Sequence, residues 1–170
     1  MIRLERVTKQ TPELDRIKSL YQSAFPENER KPLGLFLEEA DCCDFVAFYE
    51  GDLYCGFAIL LTWKDITHIL YFAVESTLRD RRYGAQALKL LRSLRPGNRF
   101  IADIEVDDIH SSNHGQRQKR KQFYLRNGYQ ESGVTYEWQN ENYEILVSGG
   151  TVTLQEDDDF WEYFEPVYGD

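Results

Sequence analysis

Three arginines, Arg79, Arg81 and Arg82, stand just before Gly84 in the stretch VESTLRDRRYGAQAL, although the chain has a formal net charge of −9. An apolar, strand-like run precedes this stretch and a helix-like run follows it. The first N–H groups of a helix have no intrahelical partner, and the helix dipole adds positive charge there. A glycine lets the backbone approach a phosphate closely, so the pattern predicts an anion site. A solvated basic turn is the alternative.

Other motifs that could carry chemistry are absent from the sequence. Neither the P-loop pattern GxxxxGK[ST] nor the dinucleotide pattern GxGxxG occurs. The three cysteines and three histidines lack the spacings typical of metal ligands. They are Cys42, Cys43, Cys55, His68, His110 and His114. We therefore expect reduced structural thiols and no bound metal.

Length and composition favour a single domain over residues 1–170. Apolar residues make up 42% of the 170 residues and aromatic residues 14%, which is enough for a packed core. No apolar run reaches the roughly 18 residues that a membrane span requires. The N-terminus is too polar for a signal peptide, so we expect a cytoplasmic protein with no membrane contact. The acidic balance argues against nucleic-acid binding.

Strand-like and helix-like segments alternate in the middle of the chain, with hairpins towards both ends. Alternating apolar residues predict a strand near the N-terminus, and Thr11 with Pro12 predicts the start of a helix. A short helix is predicted over residues 33–40. The run ITHILYFAV predicts a central strand buried on both faces, and the aromatic tail predicts a segment that docks on the body. This order indicates a mixed α/β sheet protein.

The segment LYFAVESTLRDRRYGAQAL resembles the acetyl-CoA signature of the GNAT (N-acetyltransferase) superfamily. In that family a strand leads to Arg/Gln-x-x-Gly-x-Gly/Ala and a helix. Here Arg79 fits the opening position, Gly84 fits the last, and Arg82 stands where the first glycine is usual. The segment FYLRNGY, residues 123–129, resembles the family's second conserved segment. The stretch AFPENER is similar to small bacterial members.

The resemblance implies a mostly antiparallel central sheet of about six to seven strands, flanked by helices, in which two central strands splay apart. It implies acetyl-CoA (coenzyme A) as the cofactor. The residues implied to bind it are Phe72, Ala73, Val74, Arg79, Asp80, Arg81, Arg82, Tyr83, Gly84, Ala85 and Arg120, with Lys119 as a further cation. The main-chain groups of residues 72–74 would meet the pantetheine arm and the acyl carbonyl.

The resemblance also implies that Tyr124 donates a proton to the departing thiolate, whereas a core tyrosine is the alternative. For the general base, Glu105 lies on the polar side of its strand, and His68 lies six residues before Val74. The alternative for Glu105 is a carboxylate on a solvated strand face. The alternative for His68 is a buried histidine whose hydrogen bonds are made within a strand's surroundings. A reaction without a dedicated protein base is the third possibility.

We therefore expect an enzyme that moves an acetyl group from acetyl-CoA to a primary amine of unknown identity. The resemblance implies that the amine binds near Glu27, Glu29 and Glu105, on a monomer or a homodimer. A non-catalytic domain that binds CoA or acyl-CoA is the first alternative. An interaction module that uses the aromatic, acidic tail is the second.

Overall fold

Runs of β-branched and aromatic residues form seven strands in the computed structural model, which describes residues 1–168 apart from the side chain of Asp80. The strands are β1 (Ile2–Arg6), β2 (Cys43–Glu50), β3 (Leu53–Trp63), β4 (Ile66–Val74), β5 (Arg99–Glu105), β6 (Gln130–Trp138) and β7 (Glu141–Ser148). Their order in the sheet is β1-β2-β3-β4-β5-β7-β6. The pairs β1–β2, β2–β3, β5–β7 and β6–β7 are antiparallel, whereas β4 and β5 run parallel.

Within residues 1–168 the structure also has five α-helices and two short 3₁₀ turns, and all of them except the last helix lie between strands. The helices are α1 (Leu14–Ala24), α2 (Gly34–Leu37), α3 (Tyr83–Leu94), α4 (His114–Arg126) and α5 (Leu154–Tyr168). The 3₁₀ turns cover Glu27–Glu29 and Ser76–Arg81. Within residues 1–168, no helix has the length and apolar character needed to cross a membrane. The mixed α/β, mostly antiparallel sheet that we expected is confirmed.

The first compact unit comprises Met1–Thr62 and Ile69–Arg95. Its hairpin between β2 and β3 turns at Gly51, where a φ of +59° suits glycine. The apolar side of α3 is buried through Ala87, Leu88 and Leu91. The nearly continuous burial of β2 and β3 and this helical stripe together build the core of the unit.

The second compact unit comprises Trp63–His68 and Pro96–Asp170. In it β4 and β5 pair at three positions, from Ile66 opposite Arg99 to His68 opposite Ile101. These pairs lie at the amino-terminal ends of both strands. The splay of two central strands stays a prediction. The aromatic tail forms α5, which buries Phe160 and Phe164. Each unit is made of two segments, which alternate along the chain. That residues 1–170 form a single domain stays a prediction.

Three local predictions need correction. The helix expected over residues 33–40 covers only Gly34–Leu37, because Glu38 is extended and Ala40 forms an isolated bridge with Cys43. Helix α1 begins at Leu14 without a side-chain cap rather than directly after Thr11. The tail docks as expected, but its helical form was not predicted. The three cysteines are free thiols, as expected.

Candidate active site

A left-handed residue ends the arginine-rich turn and starts α3. Strand β4 ends at Val74, the 3₁₀ turn follows, and Arg82 takes φ 62° and ψ 15°. This conformation favours glycine, which explains why the matching motif has glycine at that position. Arg82 adopts it although it is not a glycine.

The N-terminus of α3 offers N–H groups to a ligand. No side chain caps it, and the first intrahelical hydrogen bond runs from the Gln86 N–H to the Arg82 carbonyl, at 3.2 Å. The N–H groups of the first turn therefore have no intrahelical acceptor. Arg79, Arg81 and Arg82 are exposed around this turn, whereas Tyr83, Gly84 and Ala85 are half-buried. The arrangement has the donors and the charge that a pyrophosphate requires.

The side chain of Arg79 also stabilises the turn through a hydrogen bond. Its Nε donates to the Val74 carbonyl at 3.4 Å, so the turn folds back on the end of β4. The Leu78 N–H donates to the Glu75 carbonyl at 2.9 Å, which closes the 3₁₀ turn. The side chain of Asp80, which we predicted to contribute to cofactor binding, lies outside the part of the chain that the structure describes.

A glycine that sequence reasoning missed lies beside the predicted pantetheine segment. A Cβ on Gly56 of β3 would lie 2.2 Å from the Ala73 carbonyl oxygen and 2.9 Å from Val74 Cα. Only glycine permits this approach, and so Gly56 fixes where the backbone of residues 72–74 lies. A glycine inside an otherwise apolar strand was the available signal.

Tyr124 is buried near the end of α4. Its ring packs edge-on against Phe123 and Tyr129, with centroids 5.4 and 5.3 Å away. Burial raises the pKa of Tyr124 to about 12; Arg120 opposes this shift and Asp103 adds to it. The phenol is therefore protonated at neutral pH, as a proton donor must be. Gly128, at φ +91°, reverses the chain so that the Tyr129 N–H donates to the Tyr124 carbonyl.

Glu105, the first candidate base, is engaged by two guanidinium groups. Its carboxylate lies 2.5 Å from Arg117 Nη2 and 3.7 Å from Arg120 Nη1. Arg117 also donates to the Val106 carbonyl and to Asn113 Oδ1, so it ties α4 to the end of β5. Arg120, which we predicted to bind the cofactor, forms an ion pair with Glu105. Lys119, the further cation predicted to bind it, is exposed.

His68, the second candidate base, is enclosed. Its Nε2 lies 2.9 Å from Asp157 Oδ1, and its Nδ1 lies 3.9 Å from Asp103 Oδ1. The rings of Phe160 and Trp161 pack against the imidazole, whose residue is only 2% exposed. Sequence reasoning did not single out Asp157 or Asp103 as site residues, because no local pattern joins them to His68.

The segment expected to meet the acceptor is fixed by two buried tyrosines. The Tyr21 hydroxyl donates to the Lys31 carbonyl at 2.6 Å, and the Tyr71 hydroxyl donates to the Glu29 carbonyl at 2.7 Å. An open cavity of about 460 Å³ adjoins this segment, and its charged lining residues are Lys18, Glu27, Arg30 and Lys31. We expected Glu27 to make this lining acidic, but most of its charged residues are basic.

The predicted residues fall into two groups. Residues 72–74, 79–85, Glu27 and Glu29 belong to the first unit. Tyr124, Glu105, His68 and Arg120 belong to the second. Within the second unit, Glu105 and Arg120 are in contact, the charge of Asp103 raises the pKa of Tyr124, and the charge of His68 lowers that of Asp103.

Comparison with known proteins identifies the family. A sequence model described as the acetyltransferase (GNAT) family matches residues 14–129, which is more than half of the chain. The chain belongs to the GNAT acetyltransferase family. No curated protein sequence matches the chain. The match ends before β6, so β6, β7 and α5 lie outside it.

Solved structures share the GNAT fold over nearly the whole chain. A protein from Bacteroides thetaiotaomicron assigned to the GNAT family is 18% identical, with 99% of both chains covered and a TM-score of 0.78. The ribosomal-protein-S18-alanine N-acetyltransferase from Escherichia coli is 14% identical, covers 90% of this chain and 96% of its own, and has a TM-score of 0.64. A GNAT family acetyltransferase from Elizabethkingia anophelis with acetyl-CoA bound is 13% identical, with 86% and 97% covered and a TM-score of 0.59. At these identities the likeness shows the fold alone.

Proposed function

We propose that this GNAT family member transfers an acetyl group from acetyl-CoA to a primary amine. The observation that carries the proposal is the uncapped N-terminus of α3, which follows the left-handed Arg82 among three exposed arginines. Pyrophosphate oxygens would accept hydrogen bonds from the N–H groups of Tyr83, Gly84 and Ala85. The arginines would add full charges around the phosphates.

The chain's own groups would each have a defined task. Acetyl-CoA would supply an activated thioester, whose acetyl group moves to the amine as a C–N bond forms and the C–S bond breaks. Main-chain N–H groups near Phe72 to Val74 would donate to the developing oxyanion. The protonated phenol of Tyr124 would give its proton to the departing thiolate.

Acetyl-CoA binding is tested by thermal unfolding with and without the ligand. At about 100 times the dissociation constant, acetyl-CoA should stabilise the fold by about 2.7 kcal/mol. Gly84→Glu, which places a carboxylate at the second residue of α3, should abolish this gain. Gly115→Glu is the matched control, because Gly115 is the second residue of α4 and a Cβ added there would have no atom within 4 Å. No thermal shift at millimolar acetyl-CoA would contradict the proposal.

Turnover is tested by the release of free thiol with a panel of primary amines. Cationic polyamines, amino acids and peptide N-termini should be included, because the cavity beside the acceptor segment carries both signs of charge. An amine-dependent release of thiol supports the transferase. Binding of acetyl-CoA without turnover of any amine would favour the non-catalytic CoA-binding domain instead.

We also propose that the amine binds beside the segment of Glu27 and Glu29. The hydrogen bonds from Tyr21 and Tyr71 hold this segment in one conformation, as an acceptor site requires. The double variant Glu27→Gln with Glu29→Gln should raise the Michaelis constant for the fastest amine of the panel. An unchanged Michaelis constant would place the amine elsewhere. The cytoplasmic location and the oligomeric state stay predictions.

A further inference from the structure

The open cavity beside the acceptor segment is basic, although the chain is acidic. Its charged lining residues are three basic ones, Lys18, Arg30 and Lys31, and one acidic one, Glu27. The chain as a whole has a formal net charge of −9. We call this place the acceptor cavity, and all of these residues belong to the first unit. Its volume of about 460 Å³ lies within the range of small-molecule sites, which is about 300–1,000 Å³.

The guanidinium group of Arg30 has a donor without an acceptor. Its Nε is buried, and it donates no hydrogen bond within the part of the chain that the structure describes. A buried donor that stays unpaired is costly, so such groups are normally satisfied by protein, water or ligand. Because Arg30 lines the acceptor cavity, an oxygen of a ligand bound there could accept this hydrogen bond.

The backbone on both sides of Arg30 is held by tyrosine hydroxyls. The Tyr71 hydroxyl donates to the Glu29 carbonyl at 2.7 Å and accepts from the Lys31 N–H at 3.1 Å. The Tyr21 hydroxyl donates to the Lys31 carbonyl at 2.6 Å. A side chain whose own backbone is fixed in this way can present its charged group in a constant place, which selective binding requires.

The two signs of charge in the acceptor cavity suit a ligand that carries both. A guanidinium group pairs with the oxygens of a carboxylate or a phosphate through parallel hydrogen bonds, and ammonium groups add positive charge. Glu27 leaves a place of opposite sign for an amine. A polyamine carries positive charge alone, so the three basic residues would repel it.

We propose that the acceptor of the acetyl group is an amine that also carries a carboxylate or a phosphate, and that Arg30 binds this anionic group. The proposal rests on the proposed acetyl transfer and on the placement of the amine beside Glu27. Arg30 donates hydrogen bonds to the anionic oxygens, and Lys18 and Lys31 add positive charge around them. The amine at the other end of the molecule lies on the side of Glu27.

The first test compares acceptors that differ only in the anionic group. β-Alanine and β-alaninamide differ in a carboxylate, and O-phosphoethanolamine and ethanolamine differ in a phosphate. These pairs join the panel of the thiol-release assay, and the fastest amine of the panel should be one that carries an anionic group. Its kcat/KM should exceed that of its neutral partner by about 10-fold or more, and the pair with the larger ratio shows which anion is bound. A fastest amine without an anionic group would overturn the proposal.

The second test removes the charge of Arg30. Arg30→Gln should lower the ratio of kcat/KM between the anionic acceptor and its neutral partner by about 10–100-fold. A general loss of activity cancels in this ratio, whereas the loss of an anion site does not. Arg30→Lys keeps the charge without the planar fork, so it should retain part of the preference. Arg6→Gln is the matched control, because Arg6 is an exposed arginine of β1 outside the cavity lining, and it should keep the wild-type ratio.

The melting temperature and the affinity for acetyl-CoA separate anion binding from other roles of Arg30. Both should stay near wild type in Arg30→Gln, because the buried Nε has no hydrogen-bond partner to lose. A fall in acetyl-CoA affinity, measured by calorimetry, with an unchanged acceptor ratio would assign Arg30 to the phosphates of the cofactor and overturn the proposal. If Arg30→Gln fails to fold, Lys18→Gln decides, since Lys18 is an exposed member of the same lining and its loss should also lower the ratio.

The outcomes also separate this proposal from the proposed function. An unchanged ratio in the folded Arg30→Gln variant would overturn the role of Arg30 while leaving acetyl transfer in place. A wild-type enzyme that prefers the neutral partners would do the same. Absence of turnover with every amine in the panel would overturn the proposed function, and this proposal with it.

Discussion

Gly56 of β3 lies close to the backbone of β4, and alanine at this position tests that geometry. The added Cβ would lie 2.2 Å from the Ala73 carbonyl oxygen, about 1.2 Å inside the 3.4 Å at which ordinary contact begins. The opposing atoms are backbone, so they cannot rotate away as a flexible side chain would. The hydrogen bond from the Glu75 N–H to the Cys55 carbonyl, 2.8 Å long, would be strained by any separation of the strands.

The expected loss of stability in Gly56→Ala follows from the steric overlap between the added Cβ and the backbone of β4. Overpacking in a protein core typically costs about 1–3 kcal/mol, and a backbone clash places Gly56→Ala at the upper end, at about 3 kcal/mol. For a chain of this size, each kcal/mol lowers the melting temperature by about 2–4 °C, which gives a fall of roughly 6–12 °C. Acetyl-CoA affinity should fall as well, because Ala73 and Val74 belong to the predicted cofactor set.

Urea denaturation followed by circular dichroism measures the stability, and calorimetric titration measures acetyl-CoA affinity. Gly34→Ala is the control in the same unit, since a Cβ there has no atom within 4 Å, and its stability should stay near that of the wild type. A Gly56→Ala variant with wild-type stability and wild-type affinity would refute the close approach of the two strands.

The remaining predictions concern Tyr124, Arg117 and Asp103. Tyr124→Phe should lower kcat in the thiol-release assay by about 10²–10⁴-fold, because it removes the proton-donating hydroxyl. Acetyl-CoA affinity and melting temperature should stay unchanged, because the ring is kept. A wild-type kcat, measured where the chemical step limits the rate, would remove Tyr124 from the mechanism. Arg117→Met should lower the free energy of unfolding, measured by urea denaturation, by about 3–5 kcal/mol, because Glu105 and Glu141 lose their shared partner. Arg126→Met, at the exposed end of the same helix, is the control and should change stability by under about 0.5 kcal/mol. Equal effects of the two substitutions would contradict the ion-pair argument. Since the pKa of Asp103 is raised to about 6, its contribution to stability is full below its ordinary pKa and is lost as the pH rises through about 6. Asp103→Asn should therefore gain about 1–3 kcal/mol relative to the wild type between about pH 4 and pH 7, and a difference that is constant with pH would show that the Asp103 carboxyl is not perturbed.

Local features of the sequence determined the arginine-rich turn before α3 and most of the strands. The arginines, Gly84 and the start of α3 lie within a few residues of one another, so their spacing alone brought them together. The helix α5 also had a local signal that the interpretation did not use. Thr153 and Glu156 form reciprocal hydrogen bonds at its N-terminus, and Thr-x-x-Glu is the typical pattern of such a capping box.

Tertiary structure alone decided which acidic and basic groups meet in the second unit. His68 and Asp157 are 89 positions apart in the sequence, yet they are hydrogen-bonded because α5 packs on the strand that carries His68. Strand alternation placed Glu105 on the polar side of its strand, but in the structure Arg117 and Arg120 of α4 form ion pairs with its carboxylate. Side-chain periodicity reports which face of an element is buried, whereas proton affinity and charge pairing depend on what other elements place opposite that face. That is why the sequence could name Glu105 and His68 as candidate bases but could not show that Arg117 and Arg120 lie against the first and Asp157 against the second.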